Sequence, residues 1–194
     1  MFKLTPHQAK YFAYQLTRKI SSDDIQKFIS TLLDAQVDLN PHQVEAALFA
    51  FRSPLSNGAI LADEVGLGKT IEAGLVISQK WAERKRKILI IVPSNLRKQW
   101  NQELQDKFFL PSIILETRSF NNFIKEGKLN PFDQTEIIIC SYQFARKQEA
   151  YIKHTKWDLV VIDEAHRLRN VYKPSNKIAN SIKSSVAASP KILL

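Results

Sequence analysis

Cys140 is the only cysteine among 194 residues, so no disulfide can close within the chain and no cysteine-built metal cluster is available. It lies in I-I-I-C, the pattern of a buried strand, and fits a reducing compartment, bacterial cytoplasm or nucleus. No apolar run approaches the roughly 18–20 residues that a membrane span needs. The opening M-F-K-L-T-P-H-Q has neither a long apolar segment nor a small-residue cleavage site, so no secretory leader is expected. Acidic residues are the minority: 19 Asp and Glu stand against 28 Lys and Arg, a net charge of +9. That balance suits a polyanionic partner, most simply nucleic acid, or just a basic surface; charge alone does not choose.

What remains is ample for one core. Apolar residues make up 44% of the chain and charged ones 24%, which fits one domain with a small appendage. Residues 1–37 read as two amphipathic helices. Thr5-Pro6-His7-Gln8 has the form of a capping box, and Phe12, Leu16 and Ile20 recur at intervals of four. Leu39-Asn40-Pro41-His42-Gln43 repeats that helix start. There the Gln43 amide can bond back to the cap residue, or it can read an adenine edge.

The stretch from Ile60 to Thr70, I-L-A-D-E-V-G-L-G-K-T, organises the rest. A short apolar strand enters a loop with two glycines, and Lys69 and Thr70 open an amphipathic helix through Ile71, Leu75 and Val76. Strand, glycine loop, Lys-Thr and helix are the context of a phosphate-binding loop. Glycine lets the backbone approach a ligand, and the N–H groups of the first helical turn stabilise an anion. Lys69 can reach the β- and γ-phosphates, and the Thr70 hydroxyl can ligate Mg²⁺. Asp63 stands where the general pattern has glycine, so by itself the loop can also be an ordinary turn.

Downstream, K-I-L-I-I-V-P, S-I-I-L, E-I-I-I-C-S-Y, D-L-V-V-I-D-E and P-K-I-L-L read as strands, with helices between. The first is followed by a helix, L-R-K-Q-W-N-Q-E-L, expected to be capped by Ser94 or Asn95. That start can hold a backbone phosphate or be a plain strand-to-helix connection. Leu159 to Ile162 deliver Asp163 and Glu164 to a strand's carboxyl end, where α/β sheets bind ligands. The aspartate can hold Mg²⁺ and the glutamate can activate a water. Near-continuous apolar strands predict an α/β fold with a mainly parallel sheet covered by helices on both faces.

Gln43, D-E-V-G-L-G-K-T (63–70), I-V-P-S-N-L-R-K-Q-W (91–100), S-Y (141–142) and D-E-A-H-R-L-R-N (163–170) resemble, in order and spacing, the motifs of superfamily 2 helicases. They are most similar to the Swi/Snf-type branch, which commonly has Asp at the position of Asp63. The resemblance covers residues 38–194 and implies the first RecA-like lobe of a DNA-dependent ATPase that binds Mg-ATP and moves on duplex DNA. It implies that Gln43 contacts adenine and that the loop of Asp63, Glu64, Gly66, Leu67, Gly68 and Lys69 holds the phosphates. Thr70 and Asp163 would hold Mg²⁺, Glu164 would be the catalytic base, and His166 would couple the ATP site to the next motif. Ser94, Asn95, Leu96, Ser141 and Tyr142 would face the nucleic-acid backbone. It further implies a second RecA-like lobe that completes the ATP site, so this lobe alone is expected to turn over poorly. Two other classes remain on the residues alone: a P-loop ATPase that does not act on nucleic acid, and a non-catalytic nucleic-acid-binding module.

Overall fold

The computed structural model describes residues 40–52, 58–61, 68–173 and 175–194. The expected appendage of residues 1–37 lies outside them, as do Asp63, Glu64, Gly66 and Leu67 of the loop.

The described chain opens with α1 (Pro41–Arg52) and β1 (Gly58–Ile60), then α2 (Lys69–Ala82) and β2 (Ile88–Val92). Next come α3 (Arg97–Phe108), β3 (Ser112–Ile114), α4 (Thr117–Lys125) and β4 (Ile137–Ser141). Two short helices, α5 (Tyr142–Lys147) and α6 (Glu149–His154), precede β5 (Leu159–Ile162). A 3₁₀ turn (Ala165–Leu168), α7 (Lys177–Ser185) and β6 (Lys191–Leu193) complete the order. The six strands form one sheet in the order β1-β6-β5-β2-β4-β3, and every pairing is parallel.

Every residue of β2, β4 and β5 is buried, because helices cover both faces, as their unbroken apolar sequences predict. Side-chain alternation splits each strand between two cores. Ile88, Ile90, Val92, Ile139 and Val161 pack with Leu75, Ile77, Trp100 and Leu104 of α2 and α3. Leu89, Ile91, Ile138, Cys140, Val160 and Ile162 pack with Phe120, Phe144, Trp157 and Ile182 on the other side. Full burial pushes the Cys140 thiol up to about 12, so it stays protonated and inert at neutral pH.

Two local expectations are corrected. Neither Ser94 nor Asn95 caps α3: its N-cap is Leu96, with no side-chain cap bond. The entry is closed by backbone instead, with Leu96 N–H donating to the Pro93 carbonyl and Trp100 N–H to the Leu96 carbonyl, both at 3.0 Å. Tyr142 does not simply end a strand; it opens α5, and Ser141 caps that helix by accepting the Phe144 N–H at 3.2 Å.

The parallel order puts the ends of β1, β5 and β2 on one rim. β6 sits between β1 and β5, so the segment entering α2 and the turn after β5 face each other across one strand. From β2 the chain moves outward to the edge strand β3, comes back to β4 beside β2, and then crosses to β5 on the other flank of β2. This is the switch in direction at which such sheets open a crevice.

Candidate nucleotide site and adjoining basic shelf

Gly68 is the N-cap of α2 at φ 92°, ψ 34°, a left-handed conformation that favours glycine. No side chain caps this end, and the N-terminus of a helix presents N–H groups and a positive dipole to an anion. A Cβ at Gly68 would collide with Nε2 of Gln43. Gln43 is buried, and its Oε1 accepts the Asn40 N–H at 3.2 Å. The amide therefore does make the capping contact read from sequence, and its far end wedges the start of α1 against the start of α2.

Opposite lies the turn after β5. Glu164 sits at φ 55°, ψ 45°, a strained position for a non-glycine residue. Several ties hold it. Asp163 N–H donates to the Ile91 carbonyl at 3.0 Å, and Ala165 N–H to the Leu194 carbonyl at 2.8 Å. The Tyr142 hydroxyl donates toward the carbonyls of Asp163, at 2.6 Å, and Glu164, at 3.2 Å. Burial, then the Asp163 charge, hold that phenol above its ordinary range, so it stays a donor. The Glu164 carboxylate meets Nδ1 of His166 at 2.9 Å.

The Asp163 carboxylate is fixed at both oxygens. Oδ1 accepts the Glu164 N–H at 2.8 Å and Oδ2 accepts the Trp100 indole N–H at 2.8 Å. Burial raises its pKa first; the bonds from Trp100 and Glu164 N–H pull it back, the Glu164 charge adds to the rise, and the Lys69 ammonium opposes it. A cleft of about 630 Å³ joins these walls, with Gly68, Lys69 and Thr70 on one side and Trp100, Asp163, Glu164 and His166 on the other.

The donor set fits Mg²⁺. A hydroxyl (Thr70) and one carboxylate (Asp163) are hard oxygen donors, and no cluster of three His, Cys, Asp or Glu occurs among the described residues. Mg²⁺ is commonly held by one or two carboxylates, with water and substrate phosphates filling its shell. The cleft thus brings together Gly68, Lys69, Thr70, Asp163, Glu164 and His166, with Gln43 behind Gly68.

The expected nucleic-acid residues are divided by the fold. Ser94 and Asn95 are exposed and Leu96 half-buried, whereas Ser141 and Tyr142 are buried. Tyr142 points beneath the acidic turn, so its side chain does not face outward. The outward groups beside it are Arg97, Arg118, Gln143 and Lys147, which line one shallow recess, with Lys98 on an adjoining one. Arg97 pairs with Glu116 at 3.1 Å and donates to the Ser94 carbonyl at 3.1 Å. The motifs that contain Trp100 and Tyr142 do not show what the polar atoms of these two side chains hold. No local pattern signals it, since each partner comes from a distant strand end.

Residues 7–187 match the SNF2-related domain, a span that takes in most of the segment before residue 38. The chain is 35% identical over 181 residues to the RNA polymerase-associated protein RapA of Proteus mirabilis (strain HI4320), covering 91% of this chain and 18% of RapA. Among solved structures it is similar to the Sulfolobus solfataricus SWI2/SNF2 ATPase core in complex with dsDNA, with a TM-score of 0.67 and 26% identity over 82% of this chain and 32% of that one. The same organism's SWI2/SNF2 ATPase core domain gives a TM-score of 0.64 at 25% identity, over 82% and 31% of the two chains.

Proposed function

The chain belongs to the SNF2-related family, as a Swi/Snf-type helicase-like ATPase domain with a RecA-like α/β core, and from that premise we propose a DNA-dependent ATP hydrolase. In this reading it is the ATP-binding lobe of a translocase that converts ATP to ADP and phosphate to move on duplex DNA, with a second RecA-like lobe as its partner.

One observation carries the proposal: the uncapped, left-handed entry to α2 with Lys69 and Thr70 faces Asp163 and Glu164 across one cleft. The α2 N-terminus and the Lys69 ammonium bind the phosphates, and Gln43 contacts the adenine. Thr70 and Asp163 hold Mg²⁺, which when bound neutralises phosphate charge. Glu164 takes a proton from the water whose oxygen bonds to the γ-phosphorus, while the bond to the β-γ bridging oxygen breaks and ADP leaves. His166 holds the Glu164 carboxylate in place for that transfer. Ser94, Asn95, Arg97, Arg118, Gln143 and Lys147 form the shelf along which a phosphodiester backbone lies. The dsDNA bound to the Sulfolobus solfataricus core supports that partner.

The test measures ATP hydrolysis by the chain with and without duplex DNA, together with salt-dependent DNA binding by Arg118→Glu/Lys147→Glu. Expected are slow hydrolysis that requires Lys69 and Glu164 and rises with duplex DNA, and a weakened, less salt-sensitive complex for the double variant. Hydrolysis indifferent to DNA would indicate an ATPase outside nucleic-acid metabolism. DNA binding without nucleotide binding would indicate a non-catalytic module. Either result overturns the proposal.

A further inference from the structure

Each of two fully interior tryptophans donates its indole N–H, and they do so differently. Trp157 donates to the Ile152 carbonyl at 3.0 Å, the ordinary way a buried indole is satisfied. Trp100 donates to a carboxylate, Oδ2 of Asp163, across 63 positions of sequence at 2.8 Å. Trp100 is 1% exposed, on the inner face of α3 in the core it shares with α2, so packing holds its ring against swinging to another acceptor. Oδ1 of the same carboxylate is tied to the Glu164 N–H at 2.8 Å. With both oxygens bonded, the carboxylate cannot rotate about its Cβ–Cγ bond. Its remaining lone pairs are aimed by the core.

We propose that Trp100 is a positioning residue: its indole N–H sets the orientation in which Asp163 meets Mg²⁺ in the nucleotide cleft. The inference rests on the Mg-ATP reading of that cleft. A rigid donor suits the task better than a lysine or arginine would. It fixes the angle of the carboxylate without neutralising the charge that attracts the cation, and it brings no flexible chain into the cleft. Trp100 also lies one turn from Arg97 on α3, so the helix that borders the basic shelf is bonded directly to the metal-facing acid.

The experiment replaces Trp100 with 3-benzothienylalanine, which keeps the fused rings but puts sulfur where the N–H was. Trp100→Phe serves as a second variant and the same analogue at Trp157 as the control. ATP affinity is measured by calorimetry in EDTA and in Mg²⁺, with thermal melting to report folding. A charge-assisted hydrogen bond carries roughly tenfold or more in an equilibrium constant. Both Trp100 variants are therefore expected to lose about tenfold of the gain in ATP affinity that Mg²⁺ gives, with affinity in EDTA unchanged. The Trp157 control should lower the melting temperature and keep the full Mg²⁺ gain. In an Asp163→Asn background the Trp100 change should have no further effect on that gain. If folded Trp100 variants keep the wild-type Mg²⁺ gain, or lose affinity equally in EDTA, the positioning role is overturned. If the wild-type chain itself shows no Mg²⁺ gain and Lys69→Ala binds as it does, the Mg-ATP reading fails instead.

Discussion

Two aspartates flank the same strand, β5, and do opposite things. Asp158 precedes it on the amino rim; Asp163 follows it on the carboxyl rim. Asp158 Oδ2 accepts the N–H groups of Arg86 and Lys87 at 3.0 and 3.1 Å, and Lys85 Nζ stands 3.9 Å from its other oxygen. It stitches the β5 entrance to the turn before β2. Asp163 also receives two N–H bonds, yet its pKa is raised, because burial outweighs them and the Glu164 charge adds to it. The amino rim spends its carboxylate on holding the fold together. The carboxyl rim keeps one in a costly state, beside a glutamate in strained backbone, aimed into a cleft.

That contrast can be broken or sharpened by substitution. The largest effect is expected at the carboxyl rim: Glu164→Gln should cut ATP turnover by about 10²–10⁴-fold, the usual contribution of a general base, while calorimetry still finds nucleotide bound. Asp158→Ala should leave turnover per folded molecule unchanged but lower unfolding free energy by about 1–3 kcal/mol, since it strands two backbone donors; urea melts check this. A turnover loss there would erase the distinction between the rims.

Asp163 should show itself in the pH dependence of stability: in EDTA the nucleotide-free wild type should lose stability as pH rises from the ordinary carboxyl range through the raised pKa, and Asp163→Asn should flatten that slope. The sign follows from the pKa. A carboxyl whose folded value lies above its ordinary 3.8 binds protons more readily folded than unfolded, so its charge lowers stability as pH rises through that window. Asparagine keeps a single acceptor oxygen and strands one of the two N–H groups, so its melting temperature at any one pH is not the readout; the slope is. An unchanged pH slope in Asp163→Asn would mean that Asp163 takes up no proton on folding. Smallest of all, Lys85→Ala should shift stability by about 0.5 kcal/mol or less, as its pair with Asp158 is long and solvent-screened.

The same contrast marks what sequence could tell. The β5 strand, the turn to Asp163-Glu164 and the helix after Gly68 were legible, because unbroken apolar runs and a glycine-Lys-Thr entry are local signals. The α/β class followed from them. Trp100, Leu104 and Phe108 line up at intervals of four and announce a buried face, but nothing local says that one indole N–H meets Asp163. An outward Tyr142 is an implication of the family resemblance, and its place at the end of a buried strand carries no local signal against it. The helix that begins on it turns the hydroxyl inward beneath the acidic pair. Helices α5 and α6 escaped notice because six residues each leave little room for an apolar period. The cap of α3 was misplaced because backbone closed that turn. Asp63, Glu64, Gly66 and Leu67 lie outside the described residues, so their contacts with phosphate belong to the proposal.

The most direct measurement is a calorimetric titration of ATP with Mg²⁺ into the wild-type chain, Lys69→Ala and Asp158→Ala. Binding by the wild type and Asp158→Ala, lost in Lys69→Ala, is the predicted result: the carboxyl rim holds the nucleotide and the amino rim does not. Equal binding by all three, or loss in Asp158→Ala with Lys69→Ala intact, would contradict the account.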